Sequence, residues 1–158
     1  MTLLTFLWAA LQSGASVTIS TPPSPATAFR SVVPVIYVQD VRRSAAFYRD
    51  ILAFELRSFT VGAARAVTKL APADDPYAAD FAVGEQSIAL QQASNVRASG
   101  TRLDIVVDDL TAYHQRLARL GVKMYRFTKS TDGRVFCFSV LDPDHHEILF
   151  LQRQETTR

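Results

Sequence analysis

Cysteine is nearly absent from this 158-residue chain: Cys137 is the only one, so no disulfide can form within it. A reduced, cytoplasmic setting is the expectation. Charge is missing from the first 29 residues, where no charged side chain precedes Arg30. That stretch holds an apolar run from Leu3 to Leu11, then Gln12-Ser13-Gly14-Ala15-Ser16 and Thr21-Pro22-Pro23-Ser24-Pro25. A secretory signal would begin with Lys or Arg, which is lacking here. The run is also too short and interrupted to span a bilayer, so no stable membrane insertion is expected. Residues 1–29 are read as an extension before the domain, with export by a signal as the alternative. A concentrated Lys/Arg stripe is lacking too. With 17 basic and 15 acidic side chains the net charge is +2, which gives no footprint for nucleic acid. There is no Gly-x-Ser-x-Gly elbow and no phosphate-cradling glycine loop. No second His follows His114 at helical spacing, which excludes a helical zinc pair and leaves His114 as a surface or helix-flanking residue.

What is present is a repeat. Hydrophobic residues make up 48% of the chain, enough for one globular domain with a sizeable core. Residues 31–38 read as a strand, with Asp40 as a helix N-cap and Val41, Ala45, Tyr48 and Leu52 at helical spacing. Strands follow near 54–60, 64–70 and 81–91, with a loop from Ala71 to Pro76. The second copy repeats the order. A strand over 102–107 leads to Asp109 as the cap and to a stripe of Leu110, Tyr113, Leu117 and Leu120 that Gly121 ends. Strands near 122–127, 134–141 and 147–152 complete it, with Asp132-Gly133 as a hairpin turn. The expectation is an α+β protein of two β-α-β-β-β modules, curved mixed sheets around a concave cleft. The modules span about 31–92 and 100–153 in a domain of residues 30–153, with 154–158 as a tail. A concave, partly apolar surface with a few polar groups suits a small molecule.

Four stretches carry a family resemblance: Val38-Gln39-Asp40-Val41, Ser44 through Leu52, Val107-Asp108-Asp109-Leu110 and Asp142-Pro143-Asp144. Together they resemble the vicinal oxygen chelate superfamily, which groups glyoxalase I, extradiol dioxygenases, fosfomycin-resistance enzymes and bleomycin-resistance proteins. The resemblance implies paired modules, a homodimer and, in the enzymes, a metal held in the cleft. It also implies where the metal ligands should stand, and those positions carry Val33, Ala89, Arg102 and Leu149. Val, Ala and Leu offer no lone pair and Arg repels a cation, so neither a metal nor another cofactor is expected. The bleomycin-resistance branch, which binds without chemistry, is then the nearest functional likeness, although a slightly basic chain is a poor match for a cationic drug. Two glycines usual in the family are replaced, by Ala53 and His145. His tolerates positive φ better than Ala does.

On these grounds the ligand-lining residues are Val33, Val35, Tyr37, Ala89, Gln91, Arg102, Asp104 and Leu149, with no catalytic residue. Arg102 and Asp104 lie two apart on one strand and so share a face. They either orient a polar ligand or satisfy each other. Ile36, Val38, Ile105, Val107, Ile148 and Phe150 are assigned to the core under the helices, and Cys137 to a buried position. Phe136 and Phe138 share one face, of core or cleft. The leading function is metal-independent capture of a small molecule such as a drug or metabolite. The alternatives are a metal-dependent lyase or dioxygenase-like enzyme built around Glu147, His145 or His146, and an interaction module with a filled cleft.

Overall fold

Among the described residues, two aspartates start the two α-helices. The Asp40 carboxylate accepts the Arg43 backbone N–H at 2.9 Å and the Asp109 carboxylate accepts that of Ala112 at 2.8 Å. Each satisfies a backbone donor that the first helical turn leaves without a partner. The computed structural model describes residues 31–96, 102–129, 131 and 135–152. Among these, the first module runs β1 (Val35–Val38), α1 (Val41–Ala46), a π-helical turn (Phe47–Ile51), β2 (Glu55–Val61), β3 (Arg65–Val67), β4 (Pro76–Val83) and β5 (Gln86–Gln92). The second runs β6 (Arg102–Val107), α2 (Leu110–Arg119), β7 (Tyr125–Lys129), β8 (Val135–Leu141) and β9 (Glu147–Gln152). The sheets have the orders β1-β5-β4-β2-β3 and β6-β9-β8-β7, with β1–β5 and β6–β9 parallel and the other pairs antiparallel. The fold is α+β, and its sheets stay open.

Each helix covers one face of its own sheet. Val41, Ala45, Tyr48 and Leu52 are buried with Phe81 and Leu90, and Leu110 and Leu117 with Phe138 and Phe150. Leu110 and Leu117 are fully buried, and each contributes about 2 kcal/mol by leaving water. Tyr113 lays its ring 4.8 Å from that of Phe150. Ile36, Val38, Ile105, Ile148 and Phe150 are buried on the helix side and Val107 half-buried there, as the alternation requires.

The modules meet on this helical side. Asp142, buried in the turn between β8 and β9, accepts the Tyr48 hydroxyl at 3.1 Å. Asp144, in the same turn, accepts Arg43 at 2.7 Å and the Ser44 hydroxyl at 3.0 Å. From α2, Tyr113 donates to the Leu52 carbonyl at 2.8 Å and Arg116 to that of Ile51 at 2.6 Å. The Asp-Pro-Asp turn of one module is thus bolted to the helix of the other. Burial first, then the adjacent Asp142 carboxylate, raises the Tyr48 phenol far above its ordinary pKa, so it donates at every physiological pH.

Several elements differ from the sequence expectation. Residues 76–92 form a hairpin of two strands, with Gly84 at φ 59° in the turn, where one strand near 81–91 was expected. Phe81-Ala82-Val83 and Ile88-Ala89-Leu90 make apolar runs on either side of Gly84, and periodicity alone joins them. The strand near 64–70 shrinks to the edge strand β3. The strand after α2 starts at Tyr125 instead of 122, because the Val122 N–H is used to close the helix on the Leu117 carbonyl at 3.1 Å. Leu120 leaves the buried stripe and is exposed, because it is the cap residue just after the helix ends at Arg119. The Asp132-Gly133 turn and residues 1–30 lie outside the described residues.

Candidate ligand-binding site

The sheet faces turned away from the helices carry the candidate site. On the first sheet Val35 pairs with Ala89 and Tyr37 with Gln91, and residues paired in a ladder share a face. On the second, Arg102 pairs with Glu147, Asp104 with Leu149 and Val106 with Leu151. Large apolar groups are left in water here: Tyr37 is 53% exposed and Val106 58%. Val35 is exposed on the same face, Val33 is exposed just before β1, Gln91 is exposed and Ala89 half-buried. Seven of the eight residues singled out in the sequence thus lie on exposed or half-exposed surface, while Leu149 is covered, at 7% exposure.

The charges on these faces are organised. Arg102 donates from Nε to Asp104 Oδ1 at 2.5 Å and from Nη2 to Oδ2 at 2.9 Å, a two-pronged pair along one strand. These hydrogen bonds raise the guanidinium pKa further above its ordinary value. Of the two readings of this pair, mutual satisfaction is the one the geometry shows. Arg126 reaches Glu147 with Nε–Oε1 at 2.6 Å. On the first sheet Arg57 donates to the Ser87 hydroxyl at 3.1 Å, and the Ser58 hydroxyl to Asp80 at 3.2 Å. Arg57 and Arg126 sit where the pairing of β2 and of β7 slips, between Leu56 and Ser58 and between Tyr125 and Thr128. Such bulges re-aim a side chain, and Arg126 has φ 47°, a left-handed conformation unusual outside glycine.

A divalent metal does not fit this donor set. Val33, Ala89 and Leu149 have no lone pair, and Arg102 is a cation. The two carboxylates that share the second face, Asp104 and Glu147, are each engaged by an arginine. Glu147, His145 and His146 do not converge either. His146 Nδ1 lies 2.9 Å from Asp142 Oδ2, Glu147 is held by Arg126, and His145 is an exposed turn residue at φ 68°. Among the described residues no three His, Cys, Asp or Glu side chains stand where they could share an ion.

A model of the glyoxalase/bleomycin resistance protein/dioxygenase superfamily matches residues 30–150. The chain belongs to that superfamily. No curated protein matches it. Among solved structures it is similar to the bleomycin-binding protein of bleomycin-producing Streptomyces verticillus complexed with copper(II)-bleomycin. The identity is 24%, over 81% of this chain and 99% of that one, with a TM-score of 0.56. It is similar to TnmS3, an antibiotic-binding protein from Streptomyces sp. CB03234, at 19% identity over 81% and 100% of the two chains, with a TM-score of 0.55. It is also similar to a lactoylglutathione lyase from Agrobacterium tumefaciens, at 16% identity over 81% and 95%, with a TM-score of 0.54. At these identities the likeness is one of fold, and the fold houses both binders and enzymes.

Within the superfamily frame, some residues stand apart from the sequence reading. His114 is half-buried instead of a surface residue, its ring 4.8 Å from Phe127 and 5.3 Å from Phe138. Cys137 is only half-buried, with Sγ 3.5 Å from the Arg126 carbonyl. Phe138 is core, whereas Phe136, on the same side at the end of β8, is exposed. Arg57, Arg126 and the Ser58–Asp80 pair were missed, because a bulge breaks the alternation by which residues are assigned to faces. One signal could have found the arginines: Arg57 follows Asp40 by 17 positions and Arg126 follows Asp109 by 17. No described helix is long and apolar enough to cross a membrane.

Proposed function

We propose that the protein is a metal-independent small-molecule binder, which captures its ligand on the open sheet faces without chemistry. The observation that carries this is the exposure of apolar side chains (Val35, Tyr37, Val106) on sheet faces that also carry fixed polar pairs, while the family's metal positions hold Val33, Ala89, Arg102 and Leu149. Exposed apolar area framed by oriented polar groups is what a ligand face needs. Because the modules of one chain join through their helical sides, a second copy can lay its open face against the first. A homodimer is accordingly the proposed state, with a cleft lined by two protomers. Antibiotic-binding relatives of the same fold make drugs and metabolites of that size the ligands to try first.

Native mass spectrometry of the purified protein, alone and with zinc, nickel or manganese, tests the reading. The expected result is a dimer that takes up no stoichiometric metal and retains an organic adduct. One metal per site, lost in Glu147→Ala, would overturn it in favour of a lyase or dioxygenase-like enzyme.

A further inference from the structure

The two open faces keep the same arginine and change its partner. Arg57 and Arg126 stand at equal distances from their helix caps, in bulges on the strands that follow the helices. The strand orders β1-β5-β4-β2 and β6-β9-β8-β7 place those strands equivalently, and each arginine reaches over the middle strand to the strand beyond. Arg126 meets a carboxylate there, Glu147, and Arg57 meets a hydroxyl, Ser87. The partners are equivalent as well: Ser87 pairs with Ala82 two positions before Ala89, and Glu147 with Leu141 two positions before Leu149. The third arginine of these faces, Arg102, is neutralised by Asp104. Arg57 alone of the three has no carboxylate within ion-pair distance among the described residues, and the Asp80 carboxylate on the same sheet accepts the Ser58 hydroxyl instead. A serine hydroxyl fixes one edge of a guanidinium and leaves its charge and most of its five donors unused. Because β5 neighbours β1, that guanidinium is brought over the sheet toward Val35 and Ala89.

We propose that Arg57 sets the ligand class: an amphiphile whose apolar body lies on the first module's open face and whose single carboxylate, phosphate or sulfonate is bound by Arg57. This deepens the binding reading above and rests on it. A planar guanidinium forks onto such oxygens with charge-assisted hydrogen bonds, strongest where apolar neighbours reduce competing water. In the second module the built-in Glu147 already occupies the equivalent fork.

Two dyes that share an aromatic body test the assignment on the full-length protein: 8-anilino-1-naphthalenesulfonate, which is anionic, and N-phenyl-1-naphthylamine, which is neutral. Fluorescence titration is expected to show tighter binding of the sulfonate. Arg57→Gln should weaken it about tenfold while leaving the neutral dye unchanged. Ser87→Glu, which copies the second module's pair into the first, should do the same. Arg57→Lys should recover part of the loss, and Arg42→Gln, on α1, should change nothing. Thermal melts of each variant confirm that it is folded. A sulfonate affinity equal to that of the neutral dye, or one untouched by both Arg57→Gln and Ser87→Glu, overturns the role of Arg57 and leaves the binding reading standing. Failure of both dyes to bind the wild-type protein overturns the binding reading and the assignment with it.

Discussion

The two modules are alike where they face their helices and unlike where they face away. On the helix side, equivalent positions keep the same kind of residue: Val38 and Val107, Val41 and Leu110, Leu90 and Phe150 are apolar in both and, Val107 aside, buried. On the open side, Val35 stands where the second module has Asp104, Tyr37 where it has Val106, and Ser87 where it has Glu147. A duplicated unit must keep its core to fold, because a lost core side chain costs about 2–5 kcal/mol. An exposed face is under no such constraint. The difference places the constraint of the fold on one face and leaves the other free to carry the proposed binding. Among the described residues, the first face sets exposed Val35 and Tyr37 beside an arginine held by a hydroxyl instead of a carboxylate, and the second carries two matched ion pairs.

The sharpest way to break the molecule is to attack the joint between the copies. Asp142 is buried and accepts four hydrogen bonds, from Tyr48, from the His146 ring and from the backbone N–H groups of Asp144 and His146. Asp142→Ala leaves the buried Tyr48 hydroxyl without an acceptor and frees the turn, so it should lower stability by about 3 kcal/mol or more in urea denaturation. Asp104→Ala removes a closer contact, the Arg102–Asp104 ion pair at 2.5 Å, but on the exposed face. Its denaturation midpoint should stay with wild type while ligand affinity changes. If Asp104→Ala proves as damaging as Asp142→Ala, the division between a structural and a functional face is wrong.

The helix ends offer a reciprocal exchange. Gly121 at φ 72° and Ala53 at φ 59° occupy the same left-handed position after their helices. In the second module the closure is regular, with Gly121 N–H to Ala118 and Val122 N–H to Leu117. In the first, the π turn widens it by one residue, so that Phe54 N–H reaches Tyr48 at 3.0 Å. A Cβ on Gly121 would meet nothing within 4 Å, so Gly121→Ala isolates the backbone term. It should destabilise by about 1 kcal/mol, and Ala53→Gly should stabilise by a similar amount. Thermal unfolding of the two single variants checks the opposite signs.

How far these features were legible depends on the distance over which they act. The caps at Asp40 and Asp109 and the stripes that follow them are local, and the sequence showed them; the turn positions at Ala53 and His145 were marked only by the family resemblance. The faces of Val35, Tyr37, Arg102 and Asp104 followed from alternation within single strands. The hairpin at Gly84 was hidden, because apolar runs on both sides of a lone glycine read as one strand. The bulges that turn Arg57 and Arg126 onto the open faces depend on how neighbouring strands slip past each other, which no single strand encodes. The Asp-Pro-Asp turn was recognised as a motif, but its attachment to Tyr48 spans 94 positions. Contacts of that range come from the packing of modules and leave no periodic trace.

The smallest difference between the copies is also a pH-dependent one. His114 and Ala45 each lie five positions after their capping aspartate, on the buried side of their helices. Ala45 is inert. The His114 imidazole is pressed between Phe127 and Phe138, and its pKa is lowered first by burial and then by Lys129. A histidine whose folded pKa lies below its unfolded value binds protons more readily when unfolded. Its stabilising effect is therefore complete above the ordinary value of 6.5 and is lost as the pH falls below it. Urea midpoints should accordingly drop between pH 7.5 and pH 5.5. In His114→Ala, which gives the second helix the first helix's residue, that drop should shrink even though loss of the ring contacts lowers stability at both pH values. An equal drop in the variant would place the acid sensitivity elsewhere in the molecule and leave the two helices alike in their response to protons.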